Sequence, residues 1–255
     1  AHGLAYDRKG VLWTADISAG ALASIDPNGK VTSHFTSSGN EPLQGPNFVA
    51  IDGKDRVVLS DPCLGELIFY DPAAKKIVST HLFDLKTEGG PNGFAFNADG
   101  TELYVVTENT VLLCPKAKVK PKSATDNIAG LYRIKWSNDG ANPGFGERTL
   151  IQTGIGLFGD GMAFDVEGNL YVVVDTVKNV ALEESRVMVL RMGESELVPF
   201  VAFKKDTLIA NVAFGRGPLG ETTMYAALLA IPPFTTPDKR GVAKFEVGIA
   251  GQPLL

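Results

Sequence analysis

The sequence predicts an all-β protein, a β-propeller of four-stranded antiparallel blades. Three observations predict it: one phrase recurs along the chain, its copies share their turn chemistry, and no segment shows the apolar period of an amphipathic helix. The phrase is a polar lead residue, a short apolar strand, Asp or Asn at a turn, and a second strand closing on a polar residue. Its copies run from His2 to Asp16, Asn47 to Asp61, Asn92 to Glu108 and Asp160 to Asp175. A degenerate fifth copy begins at Asn211 and resumes at Thr223. The lead positions 2, 47, 92, 160 and 211 lie 45, 45, 68 and 51 residues apart.

Each unit can be followed in order. The first has its turn at Asp7-Arg-Lys-Gly10, the third at Asn97-Ala-Asp-Gly100 and the fourth at Asp165-Val-Glu-Gly168. Asp or Asn first and Gly fourth is type I turn chemistry, with Gly taking the positive φ of a tight hairpin. These Asp and Asn residues are therefore read as structural. A further β pair follows each copy: Ala21-Leu-Ala-Ser-Ile-Asp26, Glu66-Leu-Ile-Phe-Tyr-Asp71, Gly130-Leu-Tyr-Arg-Ile-Lys135, Arg186-Val-Met-Val-Leu-Arg191 and Gly241-Val-Ala-Lys-Phe-Glu246. About four strands in about 45 residues is the propeller period. The third unit carries an insertion from Cys114 to Gly130 with Lys116, Lys118, Lys120 and Lys122, read as a solvated loop or as a lid over one mouth.

Composition bounds the function. The 255 residues are 44% hydrophobic and 21% charged, an ordinary globular balance, and a single domain spanning 1–255 is expected. The net charge of −5 gives no electrostatic footprint for nucleic acid. No apolar run is long enough for a membrane span, and no secretory signal pattern stands at the start. A soluble monomer or small homo-oligomer, cytoplasmic or exported, is expected. Cys63 and Cys114 make no metal-ligand pattern; two idle thiols is the simplest reading, with a disulfide or a reactive thiol as alternatives. Gly154-Ile-Gly156-Leu-Phe-Gly159 matches a dinucleotide fingerprint only formally, because a strand rather than a helix follows it. No nucleophile elbow, zincin motif or P-loop is present.

The lead residues are the constellation that survives. A position repeated once per blade returns to the same height around the axis, so His2, Asn47, Asn92, Asp160 and Asn211 should converge on one mouth of the channel. Asn and Asp in such places also cap turns. Several amide and carboxylate oxygens on one axis, however, are what a hard divalent cation requires.

At this level a family resemblance becomes specific. Gly90-Pro-Asn92-Gly-Phe-Ala-Phe and Gly159-Asp160-Gly-Met-Ala-Phe, preceded by Gly45-Pro-Asn47 and followed by Asn211-Val-Ala-Phe-Gly215, resemble the senescence-marker-protein/gluconolactonase (regucalcin-like) family. The resemblance spans nearly the whole chain. It implies a six-bladed propeller with one divalent ion, Ca²⁺ first and Zn²⁺ or Mn²⁺ after it, hydrolysing a small-molecule lactone or related ester. By position Asn92 and Asp160 match metal ligands, and Asn47 matches a residue of the metal site that touches the metal's water or the substrate. Asp160 is also the expected proton acceptor.

The sequence departs from that family in three places. No Glu-Gly-Pro-like phrase supplies the family's first-blade Glu ligand. Five units are visible, so a further blade is expected upstream of Ala1, or the chain is a five-bladed relative. Gly45 stands where the sugar-lactone enzyme has Arg, which argues against an aldonolactone. His2-Gly-Leu-Ala more distantly resembles a paraoxonase phrase and makes His2 a second candidate base; His34 and His81 fall on outer strands. Two alternatives to the hydrolase are a non-catalytic ligand- or partner-binding propeller and a propeller lyase or strictosidine-synthase-like enzyme.

Overall fold

The computed structural model describes residues 3–110, 114, 123, 126–140, 142–178, 181–204, 206–230 and 235–253. Five sheets follow one another along the chain as the repeat requires. The first is β1 (Leu4–Tyr6), β2 (Leu12–Asp16), β3 (Ala21–Ile25) and β4 (Val31–Phe35), and a short hairpin, β5 (Ser37–Ser38) and β6 (Glu41–Pro42), links it to the next. The second is β7 (Val49–Ile51), β8 (Val57–Asp61), β9 (Glu66–Asp71) and β10 (Lys76–Leu82). The third is β11 (Gly90–Phe96), β12 (Glu102–Glu108), β13 (Gly130–Ser137) and β14 (Gly144–Thr153). The fourth is β15 (Phe158–Phe164), β16 (Leu170–Lys178), β17 (Ala181–Leu190) and β18 (Val198–Ala202). The fifth has three described strands, β19 (Leu208–Phe214), β20 (Thr223–Leu229) and β21 (Gly241–Glu246). All pairings within the sheets are antiparallel, and the helices described are two single 3₁₀ turns, so none could cross a membrane.

The turns form as their chemistry dictates. Asp7 accepts the N–H groups of Lys9 and Val11, and Asp165 those of Glu167 and Asn169. Gly10, Gly100 and Gly168 sit at φ +75, +66 and +82. In the second unit Asp55 takes that place at φ 59, a conformation Asp tolerates better than most residues, and pairs with Arg8 of the first unit.

Strand alternation presents one apolar face to each neighbouring sheet, so the core lies between blades. Trp13 and Leu22 meet Val49, Leu59 and Ile68 between the first and second sheets. Phe69 and Val58 meet Phe94, Val105 and Trp136 between the second and third, with the Phe69 and Trp136 rings edge-on at 4.8 Å. Val106 and Leu131 meet Met162 and Val172 between the third and fourth, and Tyr171 and Val173 meet Ile209, Val212 and Met224 between the fourth and fifth. Among the described residues the ring is not closed between the fifth and first sheets. The faces turned to that gap carry Leu4 and Tyr6 on one side and Val242 on the other, all exposed.

The cysteine expectation is corrected. Cys63 and Cys114 are joined in a disulfide rather than standing as idle thiols. It ties the end of the second sheet's β8 to the segment that follows β12. Of the insertion itself, Lys116, Lys118, Lys120 and Lys122 lie outside the described residues.

Candidate functional site

The innermost strands bring the lead residues together through one device. The ladder slips between Pro91 and Phe94, between Gly159 and Met162, and between Ile209 and Asn211. Each slip falls at or beside a lead residue, Asn92, Asp160 or Asn211. Bulges leave a residue unpaired and re-aim its side chain, which is why they recur beside functional sites.

A glycine follows three of the five lead residues, His2, Asn92 and Asp160, and there it is a packing requirement. A Cβ on Gly93 would overlap the carbonyl of Asp160, one on Gly161 would overlap the side chain of Asn211, and one on Gly3 would overlap the backbone of Phe48. Each glycine thus receives the lead segment of the next unit, and Gly3 also donates its N–H to the Asn47 carbonyl at 2.6 Å. In the second unit Phe48 stands in place of the glycine, and its ring packs on Phe94 at 5.2 Å. His2 lies outside the described residues.

Three carboxyl groups gather where the third and fourth sheets join. Gly90 pairs with Glu108, Glu108 with Phe158, and Phe158 with Asp175, one continuous row across both sheets. Glu108 closes β12, Asp175 lies within β16, and they are 2% and 1% exposed, while Asp160 keeps some contact with solvent. Asn92 donates its amide N–H to Glu108 Oε2 at 2.9 Å, and the Ser185 hydroxyl donates to Asp175 Oδ1. Asn92 Oδ1 and Asp175 Oδ2 are buried without any hydrogen-bond partner.

The electrostatics follow from that poverty of donors. Burial pushes Glu108 up to about 8, with the Asp175 charge adding to the rise and the Asn92 hydrogen bond opposing it. Burial likewise pushes Asp175 up to about 7 against its bonds from Ser185 and the Ile209 N–H. Asp160 is raised well above the carboxylate range, first by desolvation and then by the charges of Glu108 and Asp175. No basic side chain among the described residues pairs with any of the three.

This donor set fits a hard divalent cation in kind: every available atom is an oxygen, and two of them lack partners. Among the described residues no three His, Cys, Asp or Glu side chains are placed to hold an ion by themselves, so any ion here would need an oxygen such as that of the Asn92 amide beside the acids. The expected Asn92 and Asp160 are thus brought to one cluster. Asn47 stands one unit away, its backbone fixed between Gly3 and Ser60. Asn211 touches Gly161, and its Oδ1 accepts the Val212 N–H.

Glu108 and Asp175 were missed as site residues. Their signal was in the repeat, which closes on an acid at 16, 61, 108 and 175. A cavity of about 450 Å³ is lined by Phe48, Phe94, Met162, Phe214, Asn211 and Arg216, so of the lead residues it takes in Asn211 but not Asn47, Asn92 or Asp160. Gln252 also lines it, donating its N–H to the Phe164 carbonyl and its side-chain amide to the Phe96 carbonyl.

No protein-family model matches the chain, and no curated protein matches it in sequence. Solved structures do. A candidate gluconolactonase shares 18% identity at a TM-score of 0.64, over 98% of this chain and 75% of that one. A gluconolactonase from Xanthomonas campestris shares 18% identity at 0.63, over 89% and 68%. A streptogramin B lyase shares 11% identity at 0.60, over 95% of this chain and 63% of its own length. Likeness at these identities is a likeness of fold, and by it the chain is a β-propeller of the architecture that gluconolactonases and a streptogramin lyase share.

Proposed function

We propose that the chain is a divalent-metal-dependent hydrolase of lactones or related esters, with its site at the lead residues of the third and fourth blades. The observation that carries this reading is the buried Glu108–Asp160–Asp175 group beside Asn92, which holds two unpartnered oxygens and no basic partner among the described residues. Carboxylates are buried at such cost chiefly where a cation or a proton-transfer task offsets it. The likeness of fold to two gluconolactonases supports the choice of ester chemistry.

A divalent ion bound here supplies a Lewis acid for the carbonyl and lowers the pKa of a water. The chain's own residues do the rest. Asn92 and Asp160 are the ligands. Asp160, the least buried of the three acids, is placed to accept a proton from the attacking water. Asn47, on the adjoining blade, is the residue offered to substrate or water. Gly45 next to Cys63 leaves no cation there for a polyhydroxy acid, which directs the search away from sugar lactones.

The test is a panel of γ- and δ-lactones and aryl esters assayed with Ca²⁺, Zn²⁺ or Mn²⁺, with the metal-stripped protein as control. Cation-dependent opening of at least one lactone is expected. Uniform inactivity of protein shown to bind the ion would overturn the hydrolase in favour of a binding propeller. The likeness to the streptogramin lyase favours a second reading, elimination on the same scaffold; products with a new double bond instead of an added water would select it.

A further inference from the structure

We propose that Glu108 is a positioning residue for the cation site, fixing the polarity of the Asn92 amide so that its oxygen is the atom offered to the ion. This inference rests on the metal reading above.

The two ends of an Asn side chain are nearly alike in shape and opposite in chemistry. The carbonyl oxygen can ligate a cation, and the NH₂ group cannot. Packing alone does not distinguish them, so a neighbouring hydrogen bond has to. Asn92 is 1% exposed and sits at the bulge of β11. Its described side-chain bond is the one from Nδ2 to Glu108 Oε2 at 2.9 Å, and its Oδ1 is left buried with no partner. In the structure Glu108 Oε2 accepts from the NH₂ end, which leaves the oxygen for the site.

Backbone geometry holds Glu108 to this task. It is locked on both sides in the ladder, opposite Gly90 in its own sheet and Phe158 in the next. Both pairings fix the backbone from which the carboxyl projects. The arrangement matches a general feature of metal sites, where a partner behind the ligand sets its orientation and its loss weakens binding by about 10- to 100-fold. It also gives this chain an acid at the site from the third blade, although the family's first-blade Glu phrase is absent from the sequence.

The experiment is a titration of the metal-stripped full chain with Ca²⁺ alone, followed by calorimetry and by melting temperature, with Zn²⁺ and Mn²⁺ as further probes. Glu108→Gln preserves size but presents an amide that can offer either oxygen or NH₂, so it no longer dictates how Asn92 turns. Its affinity should fall about 10- to 100-fold with the far-ultraviolet spectrum unchanged. The exchanged pair Asn92→Asp with Glu108→Gln supplies the rescue. The amide at 108 then donates to the carboxylate at 92, whose other oxygen faces the site, and affinity should return to within a few fold of the natural protein. A role limited to filling space predicts neither the loss nor the rescue.

Equal affinity in the natural protein and Glu108→Gln overturns the proposal while leaving the metal reading intact. Loss without rescue in a folded double variant overturns it as well, and points to Glu108 as a direct ligand. If the natural protein binds none of the three ions, the metal reading falls and this inference falls with it.

Discussion

Asp61 and Glu108 occupy the same place in consecutive units and have opposite surroundings. Both close the second strand of a blade and both are almost wholly buried. Asp61 accepts four backbone N–H groups, from Gln44 at 2.7 Å and from Gly45, Cys63 and Leu64, and so organises the loop leading to Asn47. Burial still raises its pKa, but those four bonds all work against the rise. Glu108 has one such bond, from a side chain, and Asp175 one from a hydroxyl and one from the backbone. The repeat thus places an acid at the end of the second strand in the first three units and within it in the fourth. Whether it serves as a structural acceptor or as an acid short of donors is decided by the donors the next loop supplies.

This contrast can be broken most sharply at Asp160. With the natural protein, Ca²⁺ or Zn²⁺ should raise the melting temperature, because an ion that binds only the folded state stabilises it by mass action. Asp160→Ala should abolish that rise, and differential scanning fluorimetry with and without EDTA reads it. Asp61→Ala should do the opposite, costing about 3 kcal/mol of stability by stranding buried N–H groups, while the cation-induced rise persists. Urea unfolding in EDTA measures the cost, and no loss of stability would mean the two acids are not distinguished as described.

A pH series sharpens the comparison further. Glu108 and Asp175 have folded pKa values near 8 and 7, above their ordinary carboxylate values. Between those limits the folded state binds more protons than the unfolded state, so stability falls as pH rises. The metal-free protein should therefore melt at a lower temperature at pH 8 than at pH 5. Bound cation should reduce that slope, and Glu108→Gln should flatten part of it without any cation. The smallest expected effect is at Asn47. Asn47→Ala should spare cation affinity and lower turnover about 10-fold, consistent with a residue that orients water or carbonyl and leaves the ion to others.

Much of the architecture was legible because its causes are local. The turn Asp and Gly residues, the strand alternation and the lead Asn and Asp residues each announce themselves within a few positions, and the period of about 45 residues ties them into blades. Asn92 and Asp160 could be found because a Gly follows each, and that Gly is demanded by the next unit's backbone. Glu108 and Asp175 were harder. Their positions are written in the repeat, but their lack of donors depends on what the neighbouring sheet brings within reach. The Cys63–Cys114 pairing was illegible for the same reason, since two residues 51 apart meet only once adjacent blades stand side by side. The open side of the ring was foreshadowed by a count of five units.

That disulfide bears on how the molecule comes apart. The first and second units are stitched by the Gly3 to Asn47 backbone bond, and the third and fourth by the Glu108 to Phe158 bridge. Between the second and third, no backbone-to-backbone hydrogen bond joins the described residues, and the crosslink sits there together with the side-chain core. In the chain-entropy account, closing a loop of 51 residues removes about 4 kcal/mol of freedom from the unfolded chain. Where the blades are held chiefly by their sequence neighbours, cooperativity depends on the weakest seam. The oxidised protein should melt in one step, and a thiol reductant should split that step in two, the pair of units ahead of the seam parting from the three behind it.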